Sequence, residues 1–227
     1  MTGHLDSEGW PGPSVLAVCA HPDDESFGLG AVLADAANRG ASVGLLCFTQ
    51  GEASTLSGQS RLLGEVRNHE LRAAACVLGL ESTVLLDYPD GDLVRIPLDE
   101  LAKHVASLAD QIGAQALLAF DVGGVTGHPD HHRATEAALR AAEHMDLPVM
   151  GWAVPDDVAS ELNTELGTHF LGRHASETSV ILDVDRTQQM RAIACHVSQS
   201  RDNPVLWRRL DLQGRREYLN WLRRPDR

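Results

Sequence analysis

Two apolar rhythms alternate along the chain. Short unbroken runs, Val15-Leu16-Ala17-Val18-Cys19, Val43 to Phe48, Thr83 to Leu86, Ala116 to Phe120 and Val149 to Val154, read as buried strands, the first spanning Ser14 to Ala20. Between them, longer segments repeat apolar residues at intervals of three and four. Leu29, Val32, Leu33 and Ala36 mark a helix over Phe27 to Arg39 that stops at Gly40, and a second over Arg61 to Leu78 stops at Gly79. Leu98, Leu101, Val105, Leu108 and Ile112 mark a third over Asp99 to Ile112, before Gly113. Ala134 to His144 and Asp156 to Leu166 read as helices, Ser179 to Val184 as a strand, Arg186 to Val197 as a helix and Val205 to Leu222 as a terminal helix. Strands alternating with helices predict an α/β fold: a three-layer, Rossmann-like, mostly parallel sheet with helices on both faces. A single domain from residue 14 to 227 is expected, behind a flexible lead-in over residues 1 to 13 that holds Gly9, Pro11, Gly12 and Pro13.

Composition narrows the partners. The 227 residues carry a formal net charge of -13, which argues against binding nucleic acid or an anionic membrane, since both require clustered cations. A neutral or cationic small molecule is the expected partner. No stretch approaches the roughly 20 apolar residues of a membrane span, and the N-terminus lacks a basic start with an apolar core, so a cytoplasmic protein is expected. Cys19, Cys47, Cys76 and Cys195 sit far apart in apolar contexts and read as buried thiols. Trp207, Tyr218 and Trp221 in the terminal segment offer apolar surface for a homo-oligomer, or a helix packed on the sheet.

Candidate chemistry lies where two of the apolar runs end. Ala20-His21-Pro22-Asp23-Asp24-Glu25 follows the first strand, and Gly127-His128-Pro129-Asp130-His131-His132 follows the run Ala116 to Phe120 and a Gly-rich loop. In an open α/β sheet, ligands sit outside the carboxyl ends of strands, so the clusters read as halves of one site. His21 and Asp24, three residues apart across a turn, can converge on one cation, and His131 or His132 would add a third ligand. Two imidazoles and a carboxylate leave a position open for water, as in catalytic zinc sites, although iron, cobalt or manganese suit the same donors. Zinc lowers the pKa of its water to roughly 7. Asp23 is then the candidate general base, His128 the group opposite the metal that stabilises developing negative charge, and Asp130 a carboxylate that orients an imidazole of its cluster. The competing reading makes each His-Pro-Asp a turn that caps the following helix, and it requires the two clusters to lie far apart.

These residues resemble the PIG-L/LmbE-like family of zinc-dependent N-deacetylases, which includes mycothiol- and bacillithiol-pathway deacetylases. The resemblance covers about residues 15 to 200. It is carried by Ala20 to Glu25, Thr49 to Glu52, Arg67 and Glu70 with Leu78-Gly79, Asp90-Gly91, His128 to His131, and a late His-x-Ser-Gln at His196 to Gln199. It implies zinc ligands His21, Asp24 and His131, with ferrous iron or cobalt as alternatives. Asp23 is implied as general base, His128 as the electrophilic imidazole, and Glu52, Arg67 and Asp90 as contacts to substrate hydroxyls. His132 becomes a structural neighbour. The expected activity is removal of an N-acetyl group from an N-acetylglucosamine-type small molecule. Other expectations are a metal amidase acting on a larger thiol conjugate or N-acyl amino-sugar natural product, or a noncatalytic carbohydrate-binding member of the fold. The last sits poorly with Asp23, since binding needs no general base.

Overall fold

A computed structural model describes residues 12–56 and 62–224. In chain order the elements are β1 (Ser14–Cys19), α1 (Asp24–Phe27), α2 (Gly30–Asn38), β2 (Ser42–Thr49), α3 (Leu63–Leu78), β3 (Ser82–Tyr88), α4 (Leu98–Ile112), β4 (Ala116–Phe120) and α5 (Pro129–Met145). They continue with β5 (Val149–Pro155), α6 (Asp156–Leu166), β6 (Gly172–Arg173), β7 (Val180–Asp183), α7 (Thr187–Cys195), α8 (Val197–Ser200), α9 (Pro204–Gln213) and β8 (Arg216–Arg223). The strands form one sheet in the order β3-β2-β1-β4-β5-β8-β7, with the short β6 paired to β5. Strands β1 to β5 run parallel, while β8 lies antiparallel to both β5 and β7.

The unbroken apolar runs of β1, β2, β4 and β5 follow from burial on both faces, whereas β3, at the sheet edge, is only half-buried. Val15, Ala17 and Cys19 of β1 pack into one core with α2 and α3, whereas Leu16 and Val18 pack into a second core with α4 and α5. Each fully buried leucine or valine contributes roughly 1.5–3 kcal/mol, so a polar residue within β1 would cost one of the two layers. Chain order reverses at β1, whose neighbours are β2 on one side and β4 on the other. Leu16 is in register with both Gly44 and Leu117. The loops leaving β1 and β4 therefore emerge side by side, at the switch point where such sheets bind ligands.

Several expectations need correction. The helix expected over Phe27 to Arg39 divides into α1 and α2 around Gly28 and Leu29, because α1 starts earlier, at Asp24, and Gly28 lies pressed against aromatic rings. The terminal helix ends at Gly214, and the rest of that segment is β8. Its inward positions include fully buried Glu217, which holds the Trp152 Nε1 at 2.7 Å and an Arg186 guanidinium; a charged residue at a core position hid the alternation. Tyr218 and Trp221 are thus half-buried within the sheet, and Trp207 alone of the three stays largely exposed, on α9. Cys19 and Cys47 are buried, but Cys76 is exposed, on the face of α3 opposite Leu71, Ala74 and Leu78, and Cys195 is half-buried.

Most of the expected lead-in, residues 1–11, lies outside the described residues. Pro13 is already tied to the sheet, accepting from the Ser42 N–H at 2.8 Å. The polar loop over residues 57–60 and Arg61, the expected first residue of the second helix, also fall outside them. Among the described residues, no helix is long and apolar enough to cross a membrane.

Candidate active site

The turn after β1 is built by its own carboxylates. Asp24 Oδ2 accepts from the backbone N–H groups of Ala20 and His21, both at 3.0 Å, which folds the turn back on the strand end. Asp23 adopts a positive φ of 123°, rare and strained for a residue with a side chain. Its N–H donates to Glu25 Oε2 at 2.9 Å, while Arg67 lies 3.0 Å from Asp23 Oδ2 and donates to the carbonyls of Gly51, at 2.7 Å, and Pro22. Gly51 is required here, since a Cβ would fall 2.1 Å from the Arg67 guanidinium.

After β4, Pro129 opens α5 and His128 is its N-cap. The Asp130 N–H donates to His128 Nδ1 at 3.2 Å, leaving the proton of the neutral ring on Nε2. Burial and the neighbouring His21 and His131 lower the His128 pKa, favouring that neutral form.

The two clusters meet. His21 Nδ1 is 3.0 Å from His131 Nε2, which is 3.1 Å from Asp24 Oδ1; His21 Nδ1 is 3.9 Å from Asp24 Oδ2. Ligand atoms bonded at ~2.0–2.1 Å around a four-coordinate zinc lie about 3.3 Å apart, a spacing that His21 Nδ1 and His131 Nε2 approach; His128 brings a ring nitrogen within 4.8 Å of both, and Asp90 and Asp130 each bring an oxygen as close to His21. The other ring nitrogens are already engaged, as expected of metal-binding histidines. His131 Nδ1 is 2.7 Å from Thr126 Oγ1 and 3.3 Å from the Gly124 carbonyl, and His21 Nε2 is 3.0 Å from Asp90 Oδ1 and 3.4 Å from Asp130 Oδ2. His132 points elsewhere: it is exposed on α5, 3.7 Å from Glu136.

The carboxylates of the site favour positive charge on His21. Burial works hardest against a charged His21, yet its bonds to Asp130 and Asp90 and the Asp24 charge push its pKa up to about 10. Burial would also raise Asp24, but His131 and His21 hold it well below the usual carboxylate range. Asp23 goes the other way, raised to about 6 by burial against the opposing charge of Arg67.

Asp130 departs from the expected arrangement. Its carboxylate faces His21 of the first cluster and accepts from the N–H groups of Gly91 at 2.8 Å and Leu93 at 3.1 Å. Asp130 meets His128 through its backbone N–H. Arg67 and Asp90 line the cavity, whereas Glu52 does not; its Oε1 accepts from the Asp90 N–H at 2.9 Å, and Asp90 Oδ2 in turn accepts from the Ala53 N–H at 2.9 Å. Arg67 and Glu70 do not pair. Glu70 instead receives the N–H and hydroxyl of Ser198 at 2.8 and 2.6 Å.

Other residues had no assigned role. Glu25, fully buried, joins His196 Nε2 at 2.6 Å through Oε1 while Oε2 holds the Asp23 backbone, so the late His-x-Ser-Gln motif reaches the site through Glu25. Gln199 lines the cavity and accepts from Ser54 Oγ at 2.7 Å. Thr126, Phe120, Trp152 and Arg209 also line it; their sequence neighbourhoods gave no signal. The cavity has a volume of about 420 Å³, within the range that holds small molecules.

The family model described as PIG-L, GlcNAc-PI de-N-acetylase, matches residues 16–142, the stretch that holds both clusters. The chain belongs to the PIG-L family. The 1D-myo-inositol 2-acetamido-2-deoxy-alpha-D-glucopyranoside deacetylase of Streptomyces griseus is 33% identical over 174 residues, which is 66% of this chain and 54% of that protein. The chain thus spans about half the length of that relative. Among solved structures, GalB, the 4-carboxy-2-hydroxymuconate hydratase of Pseudomonas putida KT2440, aligns with a TM-score of 0.73 at 19% identity, over 95% of this chain and 98% of that one. The zinc-inhibited form of teicoplanin deacetylase Orf2 aligns with a TM-score of 0.67 at 20% identity, over 92% and 97%. Both share the fold: a mostly parallel sheet flanked by helices.

Proposed function

We propose that this PIG-L protein is a metal-dependent N-deacetylase that hydrolyses the acetamide of an N-acetylglucosamine-type small molecule. The observation that carries the reading is Asp23, its carboxylate held by Arg67 and its strained backbone by Glu25, beside His21, Asp24 and His131, the donors we assign to one cation. The activity of the Streptomyces griseus relative supports it, as that protein is a deacetylase of a 2-acetamido-2-deoxyglucoside.

His21 Nδ1, His131 Nε2 and Asp24 would hold a divalent metal, which we take to be zinc, with ferrous iron or cobalt suited to the same donors. Bound there, such an ion supplies Lewis acidity to a water and to the amide carbonyl. Asp23 takes the proton of the attacking water and passes it to the amine as the C–N bond breaks. Arg67 keeps that carboxylate oriented. The His128 Nε2–H donates to the carbonyl oxygen as negative charge develops on it. Asp90 and Asp130 fix the orientation of His21, and Thr126 that of His131. Asp90 also faces the cavity, where it can accept from substrate hydroxyls, and Glu52 keeps the Asp90 turn in place.

A purely binding role needs neither Asp23 nor its strain. The test is acetate release from N-acetylglucosamine and a panel of its glycosides, before and after chelation and with each metal restored. Metal-dependent release is expected; absence of release from every member would remove the deacetylase reading.

A further inference from the structure

The acidic and histidine-lined end is only part of the cavity. The rest of its lining includes the apolar Phe27, Phe120, Trp152 and Leu206 beside polar Gln199 and Asn203, and with them stands Arg209, a second cation of the described lining besides Arg67. Arg209 is only 3% exposed. Its guanidinium carbon lies 5.2 Å from the Trp152 ring centre, Trp152 lies 5.0 Å from Phe120, and Phe120 lies 4.9 Å from the His131 imidazole. A continuous series of rings thus connects the metal-binding end to this cation.

Among the described residues, the hydrogen-bond acceptors of Arg209 are neutral. It donates to the Phe27 carbonyl and to Gln213 Oε1. Among the described residues, no carboxylate lies within 4.0 Å of it. Glu217, whose charge does act on it, is already bound by Arg186 and Trp152. Burial accordingly pulls the Arg209 pKa down to about 10; the attraction of Glu217 is opposed by Arg186.

Desolvating a guanidinium without an anion costs several kcal/mol. Two neutral acceptors do not require that cost, because a neutral amide side chain could serve them. A guanidinium fork does match a carboxylate, with two parallel donors at fixed spacing. In a chain of formal net charge -13, the overall field repels anions, so an anionic group would need a local cation of this kind.

We propose that Arg209 forms an anion subsite of the active-site cavity, so that the substrate carries, besides its N-acyl amine, an apolar part lying along Trp152 and Phe120 that ends in a carboxylate. The inference rests on the deacetylase reading for the position of the reacting amide, and adds the substrate class. Arg209 here is a specificity residue. The phenyl group of an aryl glycoside would occupy the ring-lined wall, and a para carboxylate would reach the guanidinium.

Two readouts test it on the metal-loaded protein, as wild type, Arg209→Gln and Arg209→Lys. One is calorimetric titration with benzoate and with benzyl alcohol; the other compares KM and kcat for the phenyl and 4-carboxyphenyl glycosides of N-acetylglucosamine. Wild type is expected to bind benzoate about tenfold more tightly than benzyl alcohol, and to show a similar KM advantage for the carboxylated glycoside, as a charge-assisted bond provides. Both preferences should fall towards unity in Arg209→Gln and persist in part in Arg209→Lys. No preference in wild type would overturn the proposal without recourse to a variant, and so it remains testable if a variant fails to fold. A preference retained in full by Arg209→Gln would overturn it too, since benzoate would then be held by the metal alone. If no glycoside is hydrolysed while the benzoate preference depends on Arg209, the deacetylase reading fails and the subsite stands. If deacetylation proceeds without preference, the subsite alone falls.

Discussion

The Nε2 of His196 lies 2.6 Å from Oε1 of Glu25, 171 residues away in the chain, with both side chains fully buried. The other oxygen of Glu25 accepts from the Asp23 N–H, so a histidine from the α7–α8 junction holds the backbone of the candidate general base in its strained conformation. Strain of this kind persists only where the surroundings enforce it, at a cost of about 1–3 kcal/mol. The arrangement ties the C-terminal third of the chain to chemistry at the end of β1.

Replacing His196 by Ala should therefore lower kcat by about tenfold or more with little change in KM, because Asp23 is misplaced rather than removed. Leaving Glu25 buried without its partner should also cost roughly 3 kcal/mol or more, read from urea unfolding. The pair has a pH signature. Burial opposes a charged His196, but Glu25 outweighs it and raises the pKa above 6.5, so the contribution is complete below that value and is lost as pH rises through the folded one. Wild type should lose stability over that window relative to His196→Ala; parallel stability curves would refute the assignment. His196→Gln, which keeps a donor for Glu25, should recover part of kcat.

His131→Ala and His132→Ala separate the neighbouring histidines of α5. Only the first should lower the bound metal measured by mass spectrometry of the purified protein, since His131 Nε2 faces Asp24 and His21 while His132 lies exposed beside Glu136. Normal metal content in His131→Ala would remove it from the ligand set.

Gly28→Ala probes the ring-lined wall. A Cβ there would sit 2.7 Å from the Phe120 ring and 3.2 Å from that of Trp152. Overpacking of this sort costs about 1–3 kcal/mol, and a fall in stability of that size is expected in denaturant titration. An unchanged midpoint would mean that the rings yield freely.

Thiol labelling checks the cysteines. Burial raises the pKa of Cys19 and Cys47 well above the ordinary value, whereas Cys76 is exposed on α3. Brief iodoacetamide treatment of the folded protein should modify Cys76 and spare Cys19 and Cys47. Modification of Cys19 without unfolding would contradict the packing of β1.

What the sequence disclosed followed from local physics. β1 and β4 are unbroken apolar runs because both of their faces are covered, and His21, Asp24 and His131 stood out because His-Pro-Asp recurs where those strands end. The pairing of β1 with β4, which joins the clusters, needs only the parallel topology that alternating elements imply. β8 was obscured because its inward Glu217 is charged and is satisfied by Arg186 and Trp152, residues distant in sequence. Cys76 misled because an apolar neighbourhood in a helix does not tell which face a residue occupies. Arg209 gave no sign, since its role depends on rings contributed by β4 and β5.

The central claim is that Asp23 performs the proton transfer beside a metal held by His21, Asp24 and His131. It is tested most directly by measuring bound metal and acetate release together on wild type and Asp23→Asn. The account expects equal metal content in both proteins and a loss of turnover of about 10²–10⁴-fold in the variant. Turnover near that of wild type in metal-replete Asp23→Asn, or wild-type protein that releases acetate equally well after chelation, would contradict it.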